Sequence, residues 1–139
     1  MSTRCNVVVQ YIERSQFGEW LHDEGQDLIF YRHCDGYPSS VLPSLDPILQ
    51  GINKGNLRSN PSQVAGWIIV AGHYEYSNKR TLKGAISDGW KCGAYEPTCS
   101  IHGDIEYLYR LKIYATEWGM CKTHPEYFED YAVLNYKSV

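Results

Sequence analysis

Hydrophobic residues form strand-like segments toward both ends of the chain and follow a helical period between them. Apolar, mostly β-branched residues dominate Asn6 to Ile12 and recur from Asp27 to His33, so both segments are predicted strands. The clearest alternation runs from Asp104 to Ile113, where every second residue is apolar. A closing strand is predicted over Tyr131 to Tyr136.

Two helices are predicted between these strands. The first places its apolar residues on one face: Val41, Leu42, Leu45, Ile48, Leu49 and Ile52. We expect Ser39 or Ser40 to cap its start and Pro47 to kink or split it. The second begins at Asn60-Pro61, a capping residue followed by proline at the first helical position. Its predicted apolar face consists of Val64, Trp67, Ile68 and Ala71. Residues 76–90 are predicted to form a long exposed loop.

Strands, then two helices, then strands again indicate an α+β fold. The predicted architecture is a mainly antiparallel sheet with the two helices packed on one face. A chain of 139 residues has the usual length of a single domain, so one domain spanning residues 1–139 is expected.

Charge and cysteine content narrow the possible partners. The net charge is −3 and no basic stripe is present, so general nucleic-acid binding is not predicted. The five cysteines form an odd number, and the N-terminal residues lack the apolar core of a secretory signal, which favours reduced thiols and a cytoplasmic location. No apolar run reaches membrane-spanning length, so no membrane partner is expected.

Two polar clusters are candidates for function. The first is Arg32-His33-Cys34-Asp35, where alternation on a strand places Arg32 on one side and His33 on the other, followed by a turn that contains Tyr37. His33 beside Asp35 could be a base oriented by a carboxylate, but a turn stabilised by Asp35 is the more common meaning of such a sequence.

The second cluster contains His102, Asp104 and Glu106 at alternating positions. On a strand these three side chains would share one face, an arrangement suited to acid–base chemistry or to a hard metal ion. A tight turn at the start of a solvent-facing strand would show the same pattern of residues. If the two clusters lie on neighbouring strands, their histidines and aspartates would converge.

Known catalytic and cofactor signatures are missing from the sequence. It contains no phosphate-binding loop, dinucleotide fingerprint, nucleophile elbow or zinc-protease motif. Cys92 and Cys99 lack the close partners of a zinc site. We therefore predict that the protein uses no cofactor and no metal ion, and we assign no catalytic residue.

The two clusters together resemble a known group of sequences. FYRHCDGYPSSVLPSL and AYEPTCSIHGDIEYLYRL are similar to paired motifs, YRHxDGYP…LPxL and YEPT…HGDIEYLY, of small phage- and prophage-type proteins that also occur in some archaeal genomes. The resemblance covers about a quarter of the chain, and Cys34 occupies a position that often holds a bulkier or polar residue. It implies a viral context, in which small proteins often bind and block a host component.

Three functional hypotheses follow. The first is a non-enzymatic binding protein that inhibits or sequesters a host protein or a small anionic nucleotide. Its ligand-binding residues would be Arg32, His33, Asp35, Tyr37, His102, Asp104 and Glu106. The second is a small hydrolase or nuclease that uses His33 and His102 as acid and base, with carboxylate support. The third is a homo-oligomeric assembly protein, which exposed aromatic surface and β-strand edges would serve. The chain's twelve tyrosines and four tryptophans favour the first hypothesis.

Overall fold

The computed structural model describes residues 3–14, 17, 19–58, 60–87, 93–115 and 121–122. The predicted strand from Tyr131 to Tyr136 lies outside these residues.

The described strands form one mixed sheet. The strands are β1 (Cys5–Arg14), β2 (Trp20–His22), β3 (Leu28–Arg32), β4 (Glu96–Thr98), β5 (Tyr107–Ala115) and β6 (Cys121–Lys122). Their order is β4-β3-β1-β5-β6, and β2 pairs with β1 beside this path. All pairings are antiparallel except that of β1 with β5, which is parallel and aligns Val7 with Tyr109. A parallel pair needs a crossover connection, and the helices lie within it.

The three described helices are α1 (Pro38–Asn53), α2 (Pro61–Tyr76) and α3 (Leu82–Ser87). The prediction that Ser39 or Ser40 caps α1 is wrong, because Tyr37 is the N-cap residue and makes no side-chain capping bond. Pro38 occupies the first turn, where its fixed φ suits a helix and its missing N–H is not needed. In α2 the predicted cap is confirmed, since the Asn60 side chain accepts a hydrogen bond from the Gln63 amide.

The helix α1 is not split at Pro47, contrary to one of the predicted outcomes. A proline inside a helix removes one backbone hydrogen bond and crowds the preceding turn. Here Leu45, Ile48 and Leu49, on both sides of Pro47, are all buried. We attribute the continuity of α1 to this burial, which favours one helical path for the whole segment.

The predicted loop over residues 76–90 contains a short helix. Tyr76 still belongs to α2, and α3 occupies 82–87, while 88–90 lie outside the described residues. No residue of α3 is buried, and Leu82 and Ile86 are 79% and 67% exposed. With so little packing to stabilise it, a helix this short carries no strong sequence signal.

The main core lies between the helices and one face of the sheet. We call this side of the sheet the helix face. The main core contains Cys5, Val7, Val9, Phe30, Tyr109, Leu111 and Ile113 from the strands and Val41, Leu45, Ile48, Leu49, Ile52, Val64 and Ile68 from the helices. A smaller cluster of Val8, Ile105 and Leu108 lies on the other side, which we call the opposite face. The predicted α+β fold with two helices on one face is confirmed.

None of the helices within the described ranges has the length and hydropathy required to cross a bilayer. The longest, α1 and α2, have 16 residues each.

Candidate functional site

An open apolar groove lies between α1 and α2. Its volume is about 490 Å³, within the range of small-ligand pockets. Most of its lining is apolar or aromatic, and it comprises Pro43, Ser44, Pro47, Ile48, Gly51, Asn56, Leu57, Trp67, Val70, Ala71, Tyr74 and Glu75. Trp67, Val70 and Tyr74 are 43%, 38% and 56% exposed. Of the predicted apolar face of α2, Val64 and Ile68 are buried, whereas Trp67 is largely exposed.

Consecutive apolar residues in α2 explain this exposure. Trp67, Ile68, Ile69 and Val70 point in four directions around a helix, and only one side of α2 meets the sheet. Ile68 is fully buried, whereas Ile69 is 46% exposed. A helix that is apolar around most of its circumference normally has another apolar surface against it. In the described structure that surplus apolar surface forms one wall of the groove.

A partly buried ion pair borders the groove through Glu75. The Glu75 carboxylate accepts two hydrogen bonds from the Arg32 guanidinium, with Nη1–Oε1 at 2.6 Å and Nη2–Oε2 at 2.7 Å. The Arg32 side chain is 2% exposed and that of Glu75 is 25% exposed. Burial alone would lower the pKa of Arg32, but the hydrogen bonds and charge of Glu75 raise it above its usual value. The ion pair connects β3 to α2, and Arg32 is charged at neutral pH.

Tyr95 and Ser44 belong to the same polar group as Arg32 and Glu75. The Arg32 guanidinium lies over the Tyr95 ring, 5.0 Å from its centroid, and the Arg32 Nε donates to the Cys34 carbonyl at 2.8 Å. The Tyr95 hydroxyl makes a short hydrogen bond with the Ser44 hydroxyl. Burial raises the pKa of Tyr95 to about 12, so this hydroxyl is neutral at physiological pH. Arg32 is thereby held on three sides.

The first predicted cluster divides between the two faces of the sheet. Arg32 points to the helix face, as its bonds to Glu75 require, and it is too buried to meet a ligand directly. His33 is exposed and hydrogen-bonds through Nδ1 to the Tyr31 hydroxyl at 3.1 Å. The alternation predicted for Arg32 and His33 is confirmed. Cys34 is exposed.

Asp35 and Tyr37 form a separate pair at the turn. The Tyr37 hydroxyl donates to the Asp35 carboxylate at 3.1 Å, while Asp35 has the left-handed φ of 57°. Gly36 between them is buried, and a Cβ there would lie 2.8 Å from the Thr3 carbonyl oxygen. This close approach explains why glycine occupies the turn.

The second predicted cluster lies in the loop before β5. His102, Asp104 and Glu106 precede Tyr107, the first residue of that strand, so the prediction that strand alternation aligns them is wrong. The loop is instead attached to β1, where the His102 amide donates to the Asn6 side chain at 2.8 Å and the Glu106 amide donates to the Arg4 carbonyl at 2.9 Å.

The structure does bring parts of the two clusters together around Tyr31. The His102 ring stacks on the Tyr31 ring with centroids 4.1 Å apart, and Tyr31 also bonds His33. Asp104 lies 3.6 Å from Arg4, measured between carboxylate oxygen and guanidinium Nε. Burial and the charge of Asp104 raise the pKa of Tyr31, and Arg4 partly offsets them. Of the four side chains expected to converge, His33, His102 and Asp104 lie around Tyr31, whereas Asp35 is bonded to Tyr37 instead.

The histidines of this group bond hydroxyl groups. His33 meets Tyr31, and the Nε2 of His102 lies 3.2 Å from the Thr98 hydroxyl. An acid–base histidine is usually oriented by a carboxylate or a carbonyl. In the part of the chain that the structure describes, no three potential ligands from His, Cys, Asp and Glu are grouped to hold a metal ion.

Sequence reasoning did not find the groove. Glu75 is 43 residues from its partner Arg32, and no local pattern connects them. The only available signal was the run of apolar residues in α2, which exceeds what one buried face can hold.

Comparisons with protein-family models, curated proteins and solved structures find no match for this chain. The resemblance to phage-type sequences therefore remains a prediction.

Proposed function

We propose that this protein is a non-enzymatic, phage-type binding protein that inhibits or sequesters a host protein. The groove between α1 and α2 receives an apolar segment of that protein. The observation that carries the proposal is the groove itself, an open concave surface with exposed Trp67, Val70 and Tyr74 in its wall. Surface aromatic residues beside a hydrophobic groove are typical of recognition sites.

A protein segment fits this groove better than a nucleotide. The single charged residue among the lining residues is Glu75, which would repel a phosphate. The cation of the ion pair, Arg32, is buried behind it. Helix-in-groove recognition uses a hydrophobic groove of this kind, which receives apolar anchors from one side of a partner's helix.

The two candidate histidines favour binding over catalysis. His33 and His102 lie on the opposite face of the sheet and bond the hydroxyls of Tyr31 and Thr98. Catalysis by this pair would need a substrate site around Tyr31, whereas the large apolar groove lies on the other side of the sheet. In the groove lining, the Glu75 carboxylate is bonded to Arg32 and the Ser44 hydroxyl is bonded to Tyr95, so this apolar groove is better suited to holding a partner.

Neighbouring positions in α2 provide a matched test. A photo-crosslinking amino acid is placed at Val70, which lines the groove, or at Ile69, which does not and is slightly more exposed. Both variants are expressed in host cells and irradiated. We expect a specific host protein to crosslink from position 70 and not from position 69.

The identified host protein is then purified and its affinity measured by calorimetry. Val70→Asp should weaken binding at least tenfold, because it buries a charge in an apolar contact, and Ile69→Asp should leave the affinity nearly unchanged. Equal crosslinking from both positions, or no crosslinked protein at either, would contradict the proposal. Concentration-dependent self-association abolished by Val70→Asp would assign the groove to a second copy instead.

A further inference from the structure

We infer that the groove selects an apolar group that carries a positive charge, so that the partner segment presents an apolar side chain next to a lysine or arginine. This inference rests on the proposed function, since it concerns the same groove. It follows from how the charges of Glu75 and Arg32 are placed relative to the groove.

The ion pair presents its negative end to the groove. Glu75 lines the groove and its side chain is 25% exposed, whereas Arg32 is 2% exposed and lies on the side of the sheet. Each carboxylate oxygen uses one lone pair for the guanidinium and retains another. An entering ligand therefore meets hydrogen-bond acceptors, and it does not reach the buried donors.

The carboxylate is also fixed in position. Both of its oxygens are bonded at 2.6 and 2.7 Å, and Arg32 is in turn held by the Cys34 carbonyl and by the Tyr95 ring. A ligand cation would not have to immobilise a flexible glutamate, which is the usual entropic cost of a surface ion pair. This is why a partly exposed carboxylate can discriminate between ligands here.

Aromatic residues in the lining favour the same kind of ligand. Trp67 and Tyr74 both line the groove and are about half exposed, at 43% and 56%. A cation over the face of either ring is stabilised by the ring quadrupole. An alkyl chain fills the apolar part of the groove while its ammonium group meets Glu75, so one ligand satisfies both features. A carboxylate on the same chain would be repelled.

The test uses three probes of equal length: n-hexylammonium, n-hexanol and n-hexanoate. Each is titrated at pH 7 into isotopically labelled protein, and dissociation constants are obtained from NMR shift changes of the α1 and α2 amides. We expect n-hexylammonium to bind about fivefold more tightly than n-hexanol, the effect of an ion pair near the surface, and n-hexanoate to bind most weakly.

Two variants locate the effect. Glu75→Gln should lower the affinity for n-hexylammonium to that for n-hexanol, and it should leave the affinity for n-hexanol unchanged. The control is Asp46→Asn, which removes a carboxylate of α1 that does not line the groove, and it should change neither affinity. The spectrum of each variant reports whether it is folded, and the wild-type ranking of the three probes stands without them.

The outcomes separate this inference from the proposed function. Equal binding of all three probes, or tightest binding of n-hexanoate, would overturn the charge selection and leave the groove as a binding site. Failure of every probe to bind would overturn both. Preference for n-hexylammonium that persists in Glu75→Gln would also overturn the inference, because another group would then be its cause.

Discussion

The two faces of the sheet each carry an arginine, a carboxylate and a tyrosine, yet the two groups differ in nearly every physical property. On the helix face, Arg32 is 2% exposed and bonds both oxygens of Glu75 at 2.6 and 2.7 Å. On the opposite face, the side chains of Arg4 and Asp104 are 35% and 59% exposed and approach to 3.6 Å. The same residue types form a closely bonded, mostly buried pair in one place and a longer, more exposed contact in the other.

This contrast shows why residue type alone does not locate a site. The group around Tyr31 contains the histidines that attract attention in a sequence, but water competes for its exposed charges. The group around Arg32 contains no histidine, and its charges are fixed where a groove opens beside them. Burial and geometry, rather than titratable residues as such, indicate where selective binding is possible.

The largest expected difference between the faces is in stability. Glu75→Ala leaves the buried Arg32 without its counter-charge and should lower the free energy of unfolding by about 3 kcal/mol. Asp104→Ala removes an exposed partner of Arg4 and should cost less than about 1 kcal/mol. Urea denaturation measures both. Similar losses for the two variants would mean that the faces do not differ as described.

High pH should affect the helix face first. Burial raises the pKa of Cys5 and of Tyr95 to about 12, from ordinary values of 9.0 and 10.0. The folded state therefore retains protons that the unfolded chain releases, so this stability is complete below about pH 9 and is lost as the pH rises to 12. For Tyr95 the loss on full ionisation should be about 3 kcal/mol, from about 1.4 kcal/mol for each of two pKa units.

Denaturation curves between pH 8 and 12 measure this effect. Tyr95→Phe should flatten the decline above pH 10, whereas Tyr31→Phe on the opposite face should change it less. Unchanged stability up to pH 12 in the wild-type protein would argue against a neutral, buried Cys5 and Tyr95.

A smaller difference is expected for two tyrosine hydroxyls. Tyr109 is fully buried and donates to the Gly36 carbonyl at 2.7 Å, so Tyr109→Phe should cost about 1.5 kcal/mol by leaving that acceptor unpaired. Tyr31→Phe removes a hydroxyl bonded to the exposed His33 and should cost less than about 0.5 kcal/mol. The two variants are compared by thermal unfolding, and a larger cost for Tyr31→Phe would reverse the ranking.

The smallest expected effect is on binding. His33 and His102 lie across the sheet from the groove. The variants His33→Ala and His102→Ala should therefore bind n-hexanol with wild-type affinity, within twofold. NMR titration measures this, and nuclease and phosphodiesterase assays run alongside. Hydrolysis that disappears in these variants while n-hexanol binding is retained would assign an activity to the opposite face and favour the enzyme hypothesis.

Sequence periodicity predicted the sheet and the two main helices because their buried residues follow regular spacing. The strand around Val7 and the Asn60-Pro61 helix start are local signals of this kind. It missed α3, which is short and unburied, and it grouped the exposed Trp67 with Val64 and Ile68 because a helical spacing does not say which part of an apolar face meets the sheet. The approach of His102 to the first polar cluster could be predicted only on the condition that the two clusters lie on neighbouring strands.

The groove could not be predicted because it depends on contacts distant in sequence. Glu75 and Arg32 belong to different elements, and Ser44 meets Tyr95 across 51 positions. Neither pair follows a spacing rule. Each pair forms because α1 and α2 pack at one place on the sheet, and only the tertiary structure shows where that place is.

The most direct test of the central claim is to map where an apolar probe binds. Titration of labelled protein with n-hexanol should move the NMR signals of groove residues, including the Trp67 indole and the amides of Leu57 and Val70, and leave those of Tyr31 and His102 in place. Shift changes centred on Tyr31 and His102, with the groove unaffected, would contradict the assignment of recognition to the groove.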